Sequence, residues 1–449
     1  MEAALRVTNC TVMTPGGAVQ GGVAVGDDGR IVAVAAGDAL PPARETLDGR
    51  GRHLLPGLVD GHVHFRDPGL THKEDFESGT RAAARGGVTT VIDMPNTIPP
   101  VTTAEVLTDK AARLAGRALV DYGLISVITG PNLDEMDALS RAGTVAYKIF
   151  LGPTTGDLPS PDDGQIVEAL ARAARTGLPL GVHAENPGLV AAATARLKAA
   201  GRVDPLAHAE ARPPLAEAES VQRMICFARA TRARLHVFHL TTGVAVDLVR
   251  QAKSEGLRVT AETCPHYLTL TAGDMARLGA AAKMNPPLRS PADVEALWAG
   301  VRDGTVDVVA TDHAPHALEE KTRPVIWDNA SGASSVQFLL PLLLEHVARG
   351  RLALTDLVRL AAEAPARLYG LFPRKGAIAV GGDADLVLVD LGRTAPIRAA
   401  DMESKVQLTP FAGIECRGWP VVTLSRGRVV MRDDQVVGRP GHGRFVRPA

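Results

Sequence analysis

His62 and His64 stand one residue apart at the end of the apolar run Leu-Leu-Pro-Gly-Leu-Val-Asp-Gly-His-Val-His-Phe, residues 54–65. Side chains alternate across an extended strand, so the two imidazoles project to the same side. Two imidazoles so placed can share a divalent metal. A pair bonded only to water and backbone is the ordinary alternative, and His-x-His alone does not choose between them. Other strand-like runs supply partners. His183 ends one in Gly-Val-His-Ala-Glu-Asn, His239 another in Val-Phe-His-Leu-Thr-Thr, and Asp312 a third in Val-Ala-Thr-Asp-His. Lys148 lies inside Val-Ala-Tyr-Lys-Ile-Phe-Leu, where an unpartnered ammonium is costly, so it should be neutralised, paired or modified. A lysine that snorkels out of its strand end is the bland reading of that residue. Four histidines, a lysine and an aspartate at the ends of separate strands point to metal-assisted chemistry.

Such residues need a frame that brings strand ends together. Apolar strand-like runs occur eight times, ending near His64, Asn96, Thr129, Leu151, Glu185, Thr241, His266 and His313. Helical patterns lie between them, at 78–85, 104–115, 166–176, 215–231 and 244–255, and several stop at a glycine such as Gly116, Gly177 or Gly256. Strand–helix alternation predicts an α/β fold with parallel strands. Residues 54–375 are long enough for a (β/α)8 TIM-type barrel, whose chemistry sits at the C-terminal mouth of the strands. A doubly wound open sheet competes, but the first strand is not followed by Gly-x-Gly-x-x-Gly. Residues 1–53 and 376–449 read as short strands with Gly-rich turns, which predicts one small β-sandwich domain built from both chain ends.

Composition narrows the function classes. The formal net charge is −1 with no long basic or acidic run, so neither nucleic acid nor an anionic membrane surface is expected as a partner. The 4 cysteines include no Cys-x-x-Cys pair, and a disulfide framework is not expected. The most apolar run, 338–344, is far shorter than a membrane span, and the first residues lack an apolar signal core. A cytoplasmic protein is expected.

The motif series resembles the cyclic amidohydrolases. It runs Asp-Gly-His-Val-His-Phe-Arg-Asp-Pro-Gly, Asp-Met-Pro-Asn-Thr, Tyr-Lys-Ile-Phe, Val-His-Ala-Glu-Asn, His-Leu-Thr-Thr, Glu-Thr-Cys-Pro-His-Tyr-Leu, Lys-Met-Asn-Pro-Pro-Leu-Arg and Thr-Asp-His-Ala-Pro-His, and covers nearly the whole chain. Within that group it is most similar to dihydroorotases, with allantoinases and hydantoinases as close relatives. The resemblance implies two divalent metals, usually Zn2+. His62, His64 and Asp312 would hold one and His183 and His239 the other, with Lys148, carbamylated by CO2, bridging both. It further implies a metal-activated hydroxide attacking the ring amide and Asp312 as proton shuttle.

The resemblance also names substrate contacts. Arg66, Asn96 and His316 would hold a substrate carboxylate, Asn285 would contact the ring, and Ser331, Gly332 and His64 would complete the pocket. Arg66, two residues past His64, should face the same side if the extended chain continues. Allantoinases typically lack that arginine and carry Met-Pro-Leu instead of Met-Pro-Asn. One stretch, Ala-Ser-Gly-Ala-Ser-Ser-Val-Gln-Phe at 330–338, is closer to the allantoinase form, since dihydroorotases usually carry Pro-Phe-Gly there and Glu at the Gln337 position, and it points the ring-facing loop around Ser331 and Gly332 toward the other ring. The implied reaction is reversible ring closure of N-carbamoyl-L-aspartate in pyrimidine (UMP) biosynthesis by a homo-oligomer; another cyclic-amide hydrolysis is the alternative. A non-catalytic scaffold should have lost ligands, and none is missing. Cys264 and His266 are expected to pack, and His72, His208, His346 and His442 carry no expected role.

Overall fold

Gly57 divides the apolar run at 54–65 into two strands. His53–Pro56 pairs with Ala3–Thr14 and, antiparallel, with Leu386–Pro396 in the sheet of the chain ends, whereas Leu58–Val63 pairs with Val88–Asp93 in the barrel. A Cβ on Gly57 would collide with the Thr89 side chain, so the chain can pass this close to the second barrel strand only as glycine. The single strand expected from continuous hydrophobicity is therefore two. A run of apolar residues does not register a change of pairing partner.

The computed structural model describes residues 2–36, 39–152 and 158–449. From Leu58 onward, parallel strands form a barrel: Leu58–Val63, Val88–Asp93, Asp121–Leu124 continued by Ser126–Val127, Tyr147–Phe150, Leu180–His183, Leu235–Val237, Val259–Thr263 and Val308–Val309. A parallel bridge between Val63 and His313 closes the ring, with the His64 N–H donating to the His313 carbonyl at 2.7 Å. Leu58–Val63, Val88–Asp93, Tyr147–Phe150 and Leu180–His183 are buried at every residue, which is why they read as continuous apolar runs and not as alternation.

The crossover helices begin and end on local signals. Asp75 caps Phe76–Arg85 and Asp162 caps Asp163–Thr176, each in a reciprocal capping box, and Gly177 ends the latter in the left-handed conformation. Beneath the mouth the barrel is filled by Val59, Ile92, Ile125, Phe238 and Val308, with Tyr369 plugging the far end and donating its hydroxyl to the Gly61 carbonyl at 2.8 Å. A packed interior of this kind makes the strand ends a rigid platform.

Both chain ends share one nine-stranded sheet, in which Ala3–Thr14 neighbours Gly17–Val25, Ala43–Asp48 and His53–Pro56, and Leu386–Pro396 neighbours Glu415–Ser425. The β-sandwich is thus built from both ends, as expected. Asp121, Asp383 and Asp385 converge where it meets the barrel, close enough together to suggest a cation site. The cation is built in: Lys375 Nζ lies 2.5, 2.9 and 2.6 Å from the three carboxylates, and Arg426 also pairs with Asp121. Among the described residues no helix is long and apolar enough to cross a membrane.

Candidate metal centre and substrate pocket

The C-terminal mouth of the barrel holds a cavity of about 280 Å3, lined by all twelve site residues singled out above. His62, His64 and Asp312 each offer a ligand atom, and these lie within 4.8 Å of one another. The far nitrogen of each ring is held in place: His62 Nδ1 is 2.8 Å from Glu262 Oε1 and His64 Nδ1 is 2.8 Å from Asn96 Oδ1. An oxygen acceptor at Nδ1 keeps the proton there and turns the Nε2 lone pair inward. The Nε2 atoms lie 3.3 and 3.2 Å from Asp312 Oδ1. Asp60 locks this corner, because its carboxylate accepts from the Thr311 hydroxyl at 2.5 Å and from the Thr311 and His62 amides at 3.0 and 3.3 Å.

His183 and His239 form a second pair, with Nδ1 and Nε2 3.0 Å apart. His183 Nε2 lies 3.0 Å from Glu185 Oε2, and Arg212 pairs with the same carboxylate. Burial works against Glu185's charge, but Arg212 and then His183 hold its carboxyl down to about 2. Lys148 lines the same cavity. Its Nζ is buried without a hydrogen-bond partner and sits 3.5 Å from the Phe238 ring centroid. Burial pulls this amine down to about 7.

The cluster fits divalent metal. His62 Nε2, His239 Nδ1 and Lys148 Nζ are all buried with no hydrogen-bond partner, which costs free energy unless something in the cavity engages them. Against the cost of burial, the neighbouring His64 ring first, then His266 and Lys148, hold the Asp312 carboxyl below the usual carboxylate range. Arg66, His239 and Asp312 all have left-handed backbones, with φ of 61°, 37° and 45°. Non-glycine residues adopt that region at a cost, and such residues cluster at functional sites.

The extended chain therefore does not continue through Arg66, contrary to expectation. The left-handed turn still delivers its guanidinium to the cavity, where it is buried. Arg66 Nε donates to the Pro315 carbonyl at 3.3 Å, Nη1 has no partner, and Nη2 is 3.3 Å from His316 Nε2. Lys73 decides what that last contact is. Its ammonium, 3.2 Å from His316 Nδ1, has only protons to give, so Nδ1 accepts. The ring proton is then on Nε2, where it donates to the Ser331 carbonyl at 3.0 Å and leaves nothing for Arg66 to donate to. Burial, then the charges of Arg66, Lys73 and Lys321, keeps this imidazole neutral, far below the usual histidine range. Asn285 Oδ1, also on the cavity wall, is buried and unpartnered.

Sequence reasoning did not single out Asp60, Glu262, Arg212 or Lys73, and named Glu185 only as a strand end. Asp60 carried a signal: it precedes His62 by two residues and so shares its side of the strand. Glu262 is an acidic residue within a strand, Val259–Thr263. Cys264 and His266 are buried but do not line the cavity. His208 donates Nε2 to the Met284 carbonyl at 2.9 Å, one residue before Asn285. Gln337 points elsewhere, donating to the Asp401 carbonyl and accepting from the Glu403 amide, both at 2.9 Å.

The family model described as the Amidohydrolase family matches residues 53–430. The chain belongs to the amidohydrolase family. This amidohydrolase is 40% identical over 411 residues to the allantoinase of Deinococcus radiodurans, covering 91% of each chain. It is also 40% identical over 420 residues to the dihydroorotase of Methanothermobacter thermautotrophicus, covering 94% of this chain and 93% of that one. The solved structure of the L-hydantoinase (dihydropyrimidinase) from Arthrobacter aurescens matches it with a TM-score of 0.96 at 34% identity, over 99% of this chain and 100% of that one. The amidohydrolase is thus a hydrolase of cyclic-amide C–N bonds in the dihydroorotase, allantoinase and hydantoinase group. Relatives of equal identity carry different substrate names, so the ring is to be read from the pocket.

Proposed function

We propose that this amidohydrolase interconverts dihydroorotate and N-carbamoyl-L-aspartate, the ring step of pyrimidine (UMP) biosynthesis. The observation that carries the reading is Arg66, a buried guanidinium with Nη1 unpartnered and Nη2 facing a nitrogen that cannot accept. A buried cation needs an anionic partner, and a planar fork suits a carboxylate. Dihydroorotate has a carboxylate beside its cyclic amide, whereas allantoin and simple hydantoins do not. The allantoinase-like Gln337 is engaged with the Asp401–Glu403 segment and does not line the cavity, so it carries no weight in choosing the ring.

His62, His64 and Asp312 would hold one divalent ion and His183 and His239 another, both zinc in this reading, with Lys148 between them as a carbamate. A neutral amine adds CO2 with release of one proton, and burial, which favours the uncharged amine, prepares Lys148 for that addition. Bound metal would polarise the scissile carbonyl and lower the pKa of the attacking water. The protein supplies the rest. Arg66 grips the carboxylate and sets the ring's orientation. Asn285 Oδ1, unpartnered on the cavity wall, would accept a ring N–H, and Ser331 and Gly332 would line the other edge. Asp312, kept ionised, takes the proton of the attacking water and returns it to the leaving ring nitrogen.

Steady-state kinetics of Arg66→Lys and Arg66→Ala test the reading. Charge-assisted bonds contribute roughly 1.5–3 kcal/mol each, so Arg66→Ala should lower kcat/KM for dihydroorotate by at least about tenfold. Lysine keeps the charge and loses the fork, so Arg66→Lys should fall between. Activity on a ring without a carboxylate should fall less. Undiminished dihydroorotate turnover in Arg66→Ala would overturn the assignment.

A further inference from the structure

The loop that carries Ser331 and Gly332 is held by two buried lysines, neither paired with a carboxylate among the described residues. Lys321 Nζ donates to the carbonyls of Lys283, Ala330 and Gly332 at 3.0, 3.0 and 2.8 Å. An ammonium has three N–H groups, and here each meets one carbonyl oxygen. The acceptors come from two pieces of chain. Lys283 precedes the ring-facing Asn285 by two residues, while Ala330 and Gly332 flank Ser331. Lys283 adds its own bonds, donating Nζ to the carbonyls of Ile326, at 2.7 Å, and Asn329. The Gly332 amide returns to the Lys283 carbonyl at 2.9 Å. Gly332 itself has φ 150°, and a Cβ there would collide with the Ala314 carbonyl, so the loop runs hard against the strand end that bears Asp312.

Burying an ammonium is costly, and burial together with Lys283 pulls Lys321 down to about 7. A lysine needed only to fill this space could be an apolar residue at less cost. What the ammonium provides is a fixed distance between two irregular segments that have no strand ladder joining them. We propose that Lys321 is a positioning residue of the substrate pocket, whose three N–H groups hold the Asn285 segment against the Ser331–Gly332 loop. The proposal rests on the functional reading above only in placing the substrate in this cavity, not in which ring it is.

The test uses the metal-replete enzyme carrying Lys321→Ala, with ethylammonium added to refill the space and tetramethylammonium, which has no N–H, as control. Hydrogen exchange of the amides at 326–333 is read without substrate, and KM and kcat are read on whichever cyclic amide wild type turns over best. Exchange should quicken by about tenfold or more. KM should rise by about tenfold, with kcat changed less than about threefold and metal content unchanged. Ethylammonium should restore exchange and KM, and tetramethylammonium neither. Wild-type exchange and KM in the variant, or equal rescue by both cations, would overturn the proposal. Should Lys321→Ala fail to fold, Lys321→Gln, which keeps two N–H donors, takes its place. A smaller rise in KM is then expected, and wild-type exchange and KM would overturn the proposal. Because exchange is read without substrate, its result stands even if dihydroorotate proves to be the wrong ring.

Discussion

Asn96 Oδ1 lies 2.8 Å from His64 Nδ1, so a residue expected to hold substrate also sets the tautomer of a residue expected to hold metal. Asn96→Ala should therefore weaken metal binding as well as raise KM. Loss of an oxygen that orients a ligand histidine typically costs about 10- to 100-fold in metal affinity. Chelator competition checks this, and unchanged metal affinity would confine Asn96 to the substrate.

Glu262 makes the matching contact to His62, across 200 residues of sequence. Glu262→Ala should lower metal affinity by a similar factor of about 10 to 100. Equal metal retention by variant and wild type in a chelator titration would show that His62 does not depend on this carboxylate.

Lys148→Ala should lose binuclear metal binding, with partial recovery on adding short-chain carboxylic acids that mimic a carbamate. Metal analysis of purified protein, with and without acetate or propionate, reads the outcome directly. An intact mass showing no carbamate in active, two-metal enzyme would contradict the bridging role.

His208 is a buried neutral donor, its pKa pulled from 6.5 down to about 3, by burial first and then by Arg212 and Lys283. Above pH 6.5 both folded and unfolded states carry it neutral, and its contribution to stability is whole. As pH falls from 6.5 toward 3 the unfolded chain takes up a proton that the folded one does not, and stability drops by about 1.4 kcal/mol per pH unit from this residue. Denaturation of His208→Gln should show a shallower decline over that window than wild type. Identical slopes would mean that His208 is not kept neutral by the fold.

The candidate ligand residues were legible because each lies within or at the end of an apolar run, and alternation along a strand is short-range information. The barrel was legible for the same reason, as eight runs separated by capped helices. What escaped notice depends on long-range pairing. Asp60 reaches Thr311 across 251 residues and Lys73 reaches His316 across 243, separations over which no local pattern carries a signal. The break at Gly57 and the left-handed turn at Arg66 escaped because hydrophobicity reports burial, not the partner strand or the sign of φ. Gln337, whose identity resembles the allantoinase form, faces the 401–403 segment and not the cavity, and no local pattern in the sequence reports where a side chain turns.

The central claim is that the cavity is built for a cyclic amide with a carboxylate beside it. The most direct measurement is kcat/KM of metal-replete wild-type enzyme on dihydroorotate, allantoin, hydantoin and dihydrouracil under one set of conditions. Two charge-assisted bonds from Arg66 should favour dihydroorotate over the rings without a carboxylate by about 100-fold or more. A higher kcat/KM for allantoin or for either uncharged ring would contradict the account and leave Arg66 without its proposed partner.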